Sequence, residues 1–220
     1  GIAAATRLLL TEALKNRENT YFHIISGQCY PTKKIDDIYD FYENNDGIYM
    51  LSSLVGKTKK SGEPLLYWQK YYYNYDKINR RSIFGKIYHR CTIFTQTLFG
   101  VDKIKKLDIN VPLYQGPNWM DLPRYAVEYL LDYFDKHQNI QKLFITGFCP
   151  DEFWIQTILC NSQYNEKIKQ EYHRYIKWEP RYGSYPAVLD ESDYETIRNG
   201  NYHFCRKIDI KYSISIFRQK

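Results

Sequence analysis

The sequence predicts an α/β fold, a mixed sheet flanked by helices. Three observations carry this expectation. Short apolar runs of strand length alternate with longer segments whose apolar residues recur at helical spacing. Glycine, proline and asparagine punctuate the junctions. The 220 residues, 44% hydrophobic and 25% charged, are enough for one soluble domain with an apolar core.

The elements follow in order. Residues 2–15 form a helix with Ile2, Leu9 and Ala13 at helical spacing. YFHIISG (21–27) reads as a buried strand ending in a tight Ser-Gly turn, a common place for a ligand loop. His23 within it reads as a satisfied core histidine. Residues 32–46 are helical, with Ile35, Ile38, Tyr39 and Tyr42 on one side, and 47–51 are a short strand. The Lys/Gly/Ser-rich stretch 56–64 reads as a mobile loop. Residues 65–99, dense in aromatic and basic residues, read as helical. Together these make an insertion over about 57–100 in a single domain spanning 1–220. A turn and a short extended piece lead into a helix from Pro123, with Tyr125, Val127, Leu130, Leu131 and Phe134 on its apolar side. A second helix covers 150–161, and 175–178 is extended. Residues 179–186 form a Gly/Pro/Tyr loop, Asp190 caps a helix over 190–198, and FCRKID (204–209) follows. There is no internal repeat and no low-complexity segment.

Composition narrows the function classes. The 23 tyrosines offer stacking faces with a polar tip, suited to sugars or bases, and also fit an Ile/Lys/Asn/Tyr-rich coding bias. The net charge of +6 fits a phosphate-binding protein without identifying one. The aromatic-basic mixture at 65–99 suits single-stranded nucleic acid, but no nucleic-acid motif accompanies it and none is expected as a partner. Cys29, Cys91, Cys149, Cys160 and Cys205 form no CxxC pair and no His/Cys zinc set. Such an odd, scattered set favours free thiols in a reducing compartment. The sequence shows no signal peptide and no apolar run of bilayer length. The expected location is the cytoplasm, with peripheral association at the inner face of a membrane left open.

The stretch CPDEFWIQTILCNS (149–162) sets an acidic pair at the mouth of an apolar run. In one reading Pro150 and Asp151 simply open a helix, since proline and early carboxylates suit a first turn. Phe153, Ile155, Ile158 and Leu159 are then its core side. In the other, Glu152 is a general base on a rigid helix start.

Four ordered stretches carry a resemblance: YFHIISGQCYP (21–31), GPNWMDLPRYAVEYLL (116–131), CPDEFWIQTILCNS (149–162) and FCRKID (204–209), with YIKW at 175–178. Together they resemble the core-2/I-branching β-1,6-N-acetylglucosaminyltransferases, glycosyltransferase family 14, which also includes the peptide xylosyltransferases. The resemblance implies a GT-A-like nucleotide-sugar transferase fold. It also implies inverting transfer of a sugar, N-acetylglucosamine first, from a UDP-sugar donor to a glycan acceptor hydroxyl. Neither a DxD metal site nor any other cofactor is expected, because basic side chains stabilise the leaving diphosphate. The family's base falls on Glu152, its acceptor-shaping tryptophan on Trp178 and its diphosphate lysine on Lys207. Arg206 is the second diphosphate candidate, since adjacent side chains in an extended segment point to opposite faces. Trp119, Gln28 and Asp151, within the matched stretches, stand as substrate-binding candidates.

The departures are specific. The family's SGQDYP loop has Cys29 in place of its aspartate. Its Ser/Gln-Trp-Trp turn reads Pro117-Asn118-Trp119-Met120. An arginine that some members place ahead of the C-terminal helix lands on Ser184, with Arg181 nearby. The strand–helix–strand unit that precedes these stretches in the family is not seen ahead of Gly1. The expectation is a fragment or a shortened member with an exposed sheet edge and a half-built donor pocket. Weak or no UDP-sugar binding by this chain alone follows, which tight UDP binding in calorimetry would refute. With no anchor in sight, the expected setting is bacterial surface-polysaccharide assembly. The alternative is a non-catalytic carbohydrate- or protein-binding relative with a degraded donor site.

Overall fold

The computed structural model describes residues 1–56, 59–60, 62–75 and 78–218. The chain opens with α1 (Ile2–Leu14), which packs on a later helix and buries Leu10. Ile2 and Leu9, expected on its apolar side, are exposed. The Arg124 guanidinium donates to the carbonyls of Leu14, Asn16 and Asn19 at 2.8–3.0 Å, satisfying acceptors where the helix ends.

Next come β1 (Tyr21–His23), β2 (Tyr30–Pro31), α2 (Ile35–Glu43), β3 (Ile48–Tyr49) and β4 (Ser53–Leu54). In α2 the helical expectation holds but its face is narrower than the spacing suggested. Ile38 and Tyr42 are buried, whereas Ile35 and Tyr39 face solvent.

The stretch expected as a loop contains a hairpin, β5 (Lys59–Lys60) with β6 (Glu63–Pro64). Lys57, Thr58 and Ser61 lie outside the described residues. Then follow α3 (Tyr67–Lys70), an irregular segment and α4 (Ile83–Leu98). This region is less an appendage than the sequence implied. Trp68 joins the main core, and Tyr71 and Tyr73 are buried as well. Much of the aromatic density is therefore packing.

The second half runs α5 (Lys103–Lys106), β7 (Tyr114–Gln115), β8 (Asp121–Pro123), α6 (Arg124–Lys136) and α7 (Gln138–Ile145). A 3₁₀ turn, Pro150–Glu152, leads into α8 (Trp154–Cys160), which is buried along its whole length. β9 (Ile168–Lys169), β10 (Arg174–Ile176), α9 (Tyr194–Asn199), β11 (Phe204–Arg206) and α10 (Ile210–Arg218) complete the order. Asp190 caps the entry to α9 as expected, with a reciprocal capping box to Asp193.

The architecture is mixed α/β. One sheet has the order β1-β8-β3-β9, with β8 antiparallel to both neighbours and β3 parallel to β9. A second runs β10-β11-β2, its first pair parallel and its second antiparallel. Helices α6 and α8 supply much of the main core, with Leu130, Phe153 and Leu159 fully enclosed. Among the described residues β1 is an edge strand, pairing with β8 alone.

Asp121 ties the two sheets together. From β8 its carboxylate accepts from both Arg174 terminal nitrogens at 2.6 and 2.7 Å, from Tyr42 at 2.7 Å and contacts His23 Nδ1 at 2.7 Å. Burial opposes its ionisation, but the His23 hydrogen bond and the Arg174 guanidinium outweigh it and hold the carboxyl below the usual range. His23 is therefore a satisfied, half-buried histidine, as its place in an apolar run implied.

Candidate active site

Glu152 ends the 3₁₀ turn that precedes α8. Two features fix its backbone. Cys149, just before the turn, sits in the left-handed region at φ 47°. The Glu152 carbonyl accepts from Gly116 N at 2.9 Å. A side chain at Gly116 would put its Cβ 2.0 Å from the Leu51 carbonyl oxygen, so the close approach requires glycine. Burial first, then the Asp151 and Glu152 carboxylates, push the Cys149 thiol up to about 12, so it is neutral beside them.

The turn at 116–119 is fastened to this helix start. Asn118 donates to Asp151 Oδ2 at 2.6 Å, and Gln156 donates to the Pro117 carbonyl at 3.0 Å. Asp151 thus acts in the structure as a fastening for the turn. The Glu152 side chain pairs through Oε2 with Lys60 Nζ at 2.6 Å and is 27% exposed. Its Oε1 takes no hydrogen bond from the described residues.

Trp119 carries the site toward the second sheet. The Arg206 guanidinium lies over its ring, 4.0 Å from the centroid. Burial lowers the pKa of Arg206, and its Nε is buried with no partner among the described residues. The pairing of β11 with β2, Cys205 against Tyr30, brings the 26–29 loop beside it. In that loop Cys29 Sγ accepts from Ser26 N at 3.3 Å, so the sulfur holds the turn where the expected aspartate is missing. Gln28 contributes its carbonyl, which accepts from Ile208 N at 2.9 Å.

Lys207 lies just past the end of β11, across a cis peptide bond from Arg206, and has different neighbours. Its Nζ donates to Ser184 Oγ at 2.9 Å and to the Tyr185 carbonyl at 3.3 Å. Burial, then the neighbouring charges of Arg206 and Arg81, lower its pKa. Among the described residues no carboxylate pairs with Arg206, Lys207 or Arg81. Arg181, near the position of the family's second arginine, is by contrast neutralised by Asp193 at 2.6 Å, Glu179 at 2.8 Å and Asp190 at 3.1 Å. Trp178 is 58% exposed, with the Tyr185 ring at 5.9 Å. It is an open aromatic surface joined to the basic side through Tyr185, and no described contact links it to Glu152.

A model of the Core-2/I-Branching enzyme family matches residues 1–199. The chain belongs to this family. Core-2/I-branching enzymes are glycosyltransferases, which take a nucleotide-sugar donor and a glycan acceptor, and the mixed α/β fold is consistent with the GT-A type. No curated protein matches the sequence. The family match ends before Arg206 and Lys207, so the interest of those two cations rests on their geometry.

Contacts thus run from Glu152 and Asp151 through Asn118 and Trp119 to Arg206, with the Gln28 loop beside β11, whereas Lys207 and Trp178 meet separately at the 184–185 segment. Sequence reasoning missed Lys60, Asn118 and Gly116. Gly116 carries a readable signal, a Gly-Pro dipeptide that marks a turn; Lys60 carries none, because its partner is 92 positions away. Among the described residues no group of three or more His, Cys, Asp or Glu side chains is placed to hold a metal ion. No helix of the described residues is long and apolar enough to cross a membrane.

Proposed function

We propose that this chain is an inverting, metal-independent glycosyltransferase in which Glu152 is the base and Lys207 and Arg206 receive the diphosphate of a UDP-sugar. The observation that carries the reading is the division of charge across the 116–119 turn. Glu152, on a rigid helix start and paired with Lys60, is joined through the 116–119 turn to Arg206, and Lys207, next in the chain, likewise has no carboxylate partner among the described residues. Single displacement with inversion asks for such a division. The base takes the acceptor proton on one side while negative charge grows on the leaving UDP at the other. Fixed cations stabilise that growing charge more than the ground state. The unpartnered Arg206 Nε offers a hydrogen-bond donor for phosphate oxygens. The open oxygen of Glu152 suits an acceptor hydroxyl, and the Trp178–Tyr185 surface suits the apolar face of a sugar ring. N-acetylglucosamine is the donor sugar of first choice and a surface polysaccharide the acceptor class of first choice. Both rest on the resemblance read in the sequence.

The test is UDP release from UDP-N-acetylglucosamine, UDP-xylose, UDP-glucose and UDP-galactose, with EDTA present and acceptor glycans supplied. Release from one donor, insensitive to EDTA and lost in Glu152→Gln, supports the reading and names the sugar. Transfer retained by Glu152→Gln removes Glu152 as base. Glycan binding without transfer from any donor favours the non-catalytic reading, for which Cys29 in the donor loop is the motivating feature.

A further inference from the structure

The outer face of α4 is apolar where a solvent-facing helix is ordinarily polar. At roughly 100° per residue, Ile83, Ile87, Phe94 and Leu98 fall in one narrow arc, and Phe84 and Cys91 widen it on one side. Ile83, Phe84, Ile87, Phe94 and Leu98 are each 57–80% exposed. The opposite side is the packed one, with Gly85 and His89 buried. Gly85 fixes this orientation, because a Cβ there would lie 2.0 Å from the Asn79 carbonyl oxygen. Ser82 starts the helix cleanly, accepting from Gly85 N at 3.0 Å. The stripe is therefore held outward by packing. Single exposed apolar residues need no explanation, but a continuous stripe along a 16-residue helix marks a docking surface.

Charge identifies the occupant. Lys86 and Arg90 run along one edge of the stripe, and residues 78–101 contain no Asp or Glu. A second copy of the chain, docked stripe to stripe, would bring like charges together in a molecule that already carries +6. An anionic lipid surface satisfies both halves at once, with apolar side chains below the headgroups and cationic ends at the phosphates. We propose that α4 is a peripheral membrane-docking helix selective for anionic headgroups. The inference stands on the helix alone and does not depend on which sugar, if any, the protein transfers.

The experiment is co-sedimentation of the full 220-residue chain with phosphatidylcholine vesicles, with and without phosphatidylglycerol. The expected result is binding to the anionic vesicles, weakened by salt. The double variant Phe94→Ser, Leu98→Ser should bind at least about tenfold more weakly. Lys86→Gln and Arg90→Gln should each cost about fivefold. Phe94→Trp reads immersion directly, its added indole emission shifting blue on anionic vesicles. Absence of vesicle binding overturns the proposal. Binding that the Ser variants leave unchanged also overturns it, because it then reflects net charge alone. A dimer in light scattering that Phe94→Ser, Leu98→Ser dissolves, without vesicle binding, overturns it in favour of a second copy.

Discussion

Arg181 and Lys207 border the same loop, and their pairing separates them. Arg181 is locked between carboxylates, with Asp193 almost fully buried beneath it. Lys207 reaches only a hydroxyl and a carbonyl, so its charge is free for an anionic ligand. Lys207→Ala should lower turnover about 10²–10³-fold, the usual effect of removing one fixed donor from a developing negative charge. Single-turnover kinetics with saturating donor measure this. Arg181→Ala should leave UDP affinity in calorimetry unchanged and lower stability instead, by at least about 1 kcal/mol, because Asp193 loses a charged partner in a dry site. Equal loss of UDP affinity in both variants would show that the pairing does not decide the roles. Glu152→Gln belongs beside them. It keeps the shape and the backbone bond to Gly116 but cannot take a proton, so transfer should fall by about 10²-fold or more while donor affinity stays.

At the level of elements, Glu152 is held by a junction of three short pieces: β7 into Gly116, the 116–119 turn and the 3₁₀ turn ahead of α8. Gly116→Ala drives a methyl against the Leu51 carbonyl and pushes the Glu152 backbone, which Gly116 N holds. The expected outcome is a melting temperature lowered by several degrees together with a larger loss of turnover than of donor affinity. A variant of wild-type activity would mean that the junction is slack. This junction also shows how far the sequence is legible. The 3₁₀ turn from Pro150 that leads into α8, the start of α6 after Pro123 and the Asp190 cap are local signals, and each falls where the residues point. The buried face of α8 was readable for the same reason. The short strand at 47–51 was readable too, but the two-residue strands β4 and β7 were not, because their existence depends on each other across the chain rather than on their own pattern. Ile35 and Tyr39 misled because helical spacing marks a face without showing how wide the neighbouring element covers it. The candidate site residues were named through short matched motifs; the Lys60 contact to Glu152 could not be, because nothing local encodes it.

At the scale of the whole molecule, the two sheets meet on a dry polar cluster. Arg174 of β10 forks onto Asp121 of β8, and both side chains are enclosed. Removing one partner leaves an uncompensated charge, so Arg174→Leu should cost about 3–5 kcal/mol in urea unfolding. The double variant with Asp121→Leu should cost less than the sum of the singles. The same cluster sets the pH range of stability. Tyr42 gives its one hydroxyl proton to Asp121, so the His203 Nδ1 contact at 3.0 Å must be an N–H donated to the Tyr42 oxygen. That bond suits either charge state, and burial is what keeps His203 neutral when folded. Burial first, then the neighbouring His173, Lys33 and others, push it down to about 3, and burial lowers His173 too. In the unfolded chain both histidines take up protons near the ordinary value of about 6.5. Below that pH the unfolded state binds protons that the folded state refuses, so stability falls as pH drops from about 6.5, by up to about 1.4 kcal/mol per pH unit for each histidine. Asp121 has the opposite shift. Its contribution is full above about pH 3.9 and is lost only as pH falls toward its depressed folded value. Acid loss between pH 6.5 and 4 should therefore be histidine-driven. His203→Asn keeps a donor for Tyr42 without the titration and should flatten that part of the profile. Urea midpoints across this range decide it, and an unchanged slope in His203→Asn would assign the acid loss elsewhere.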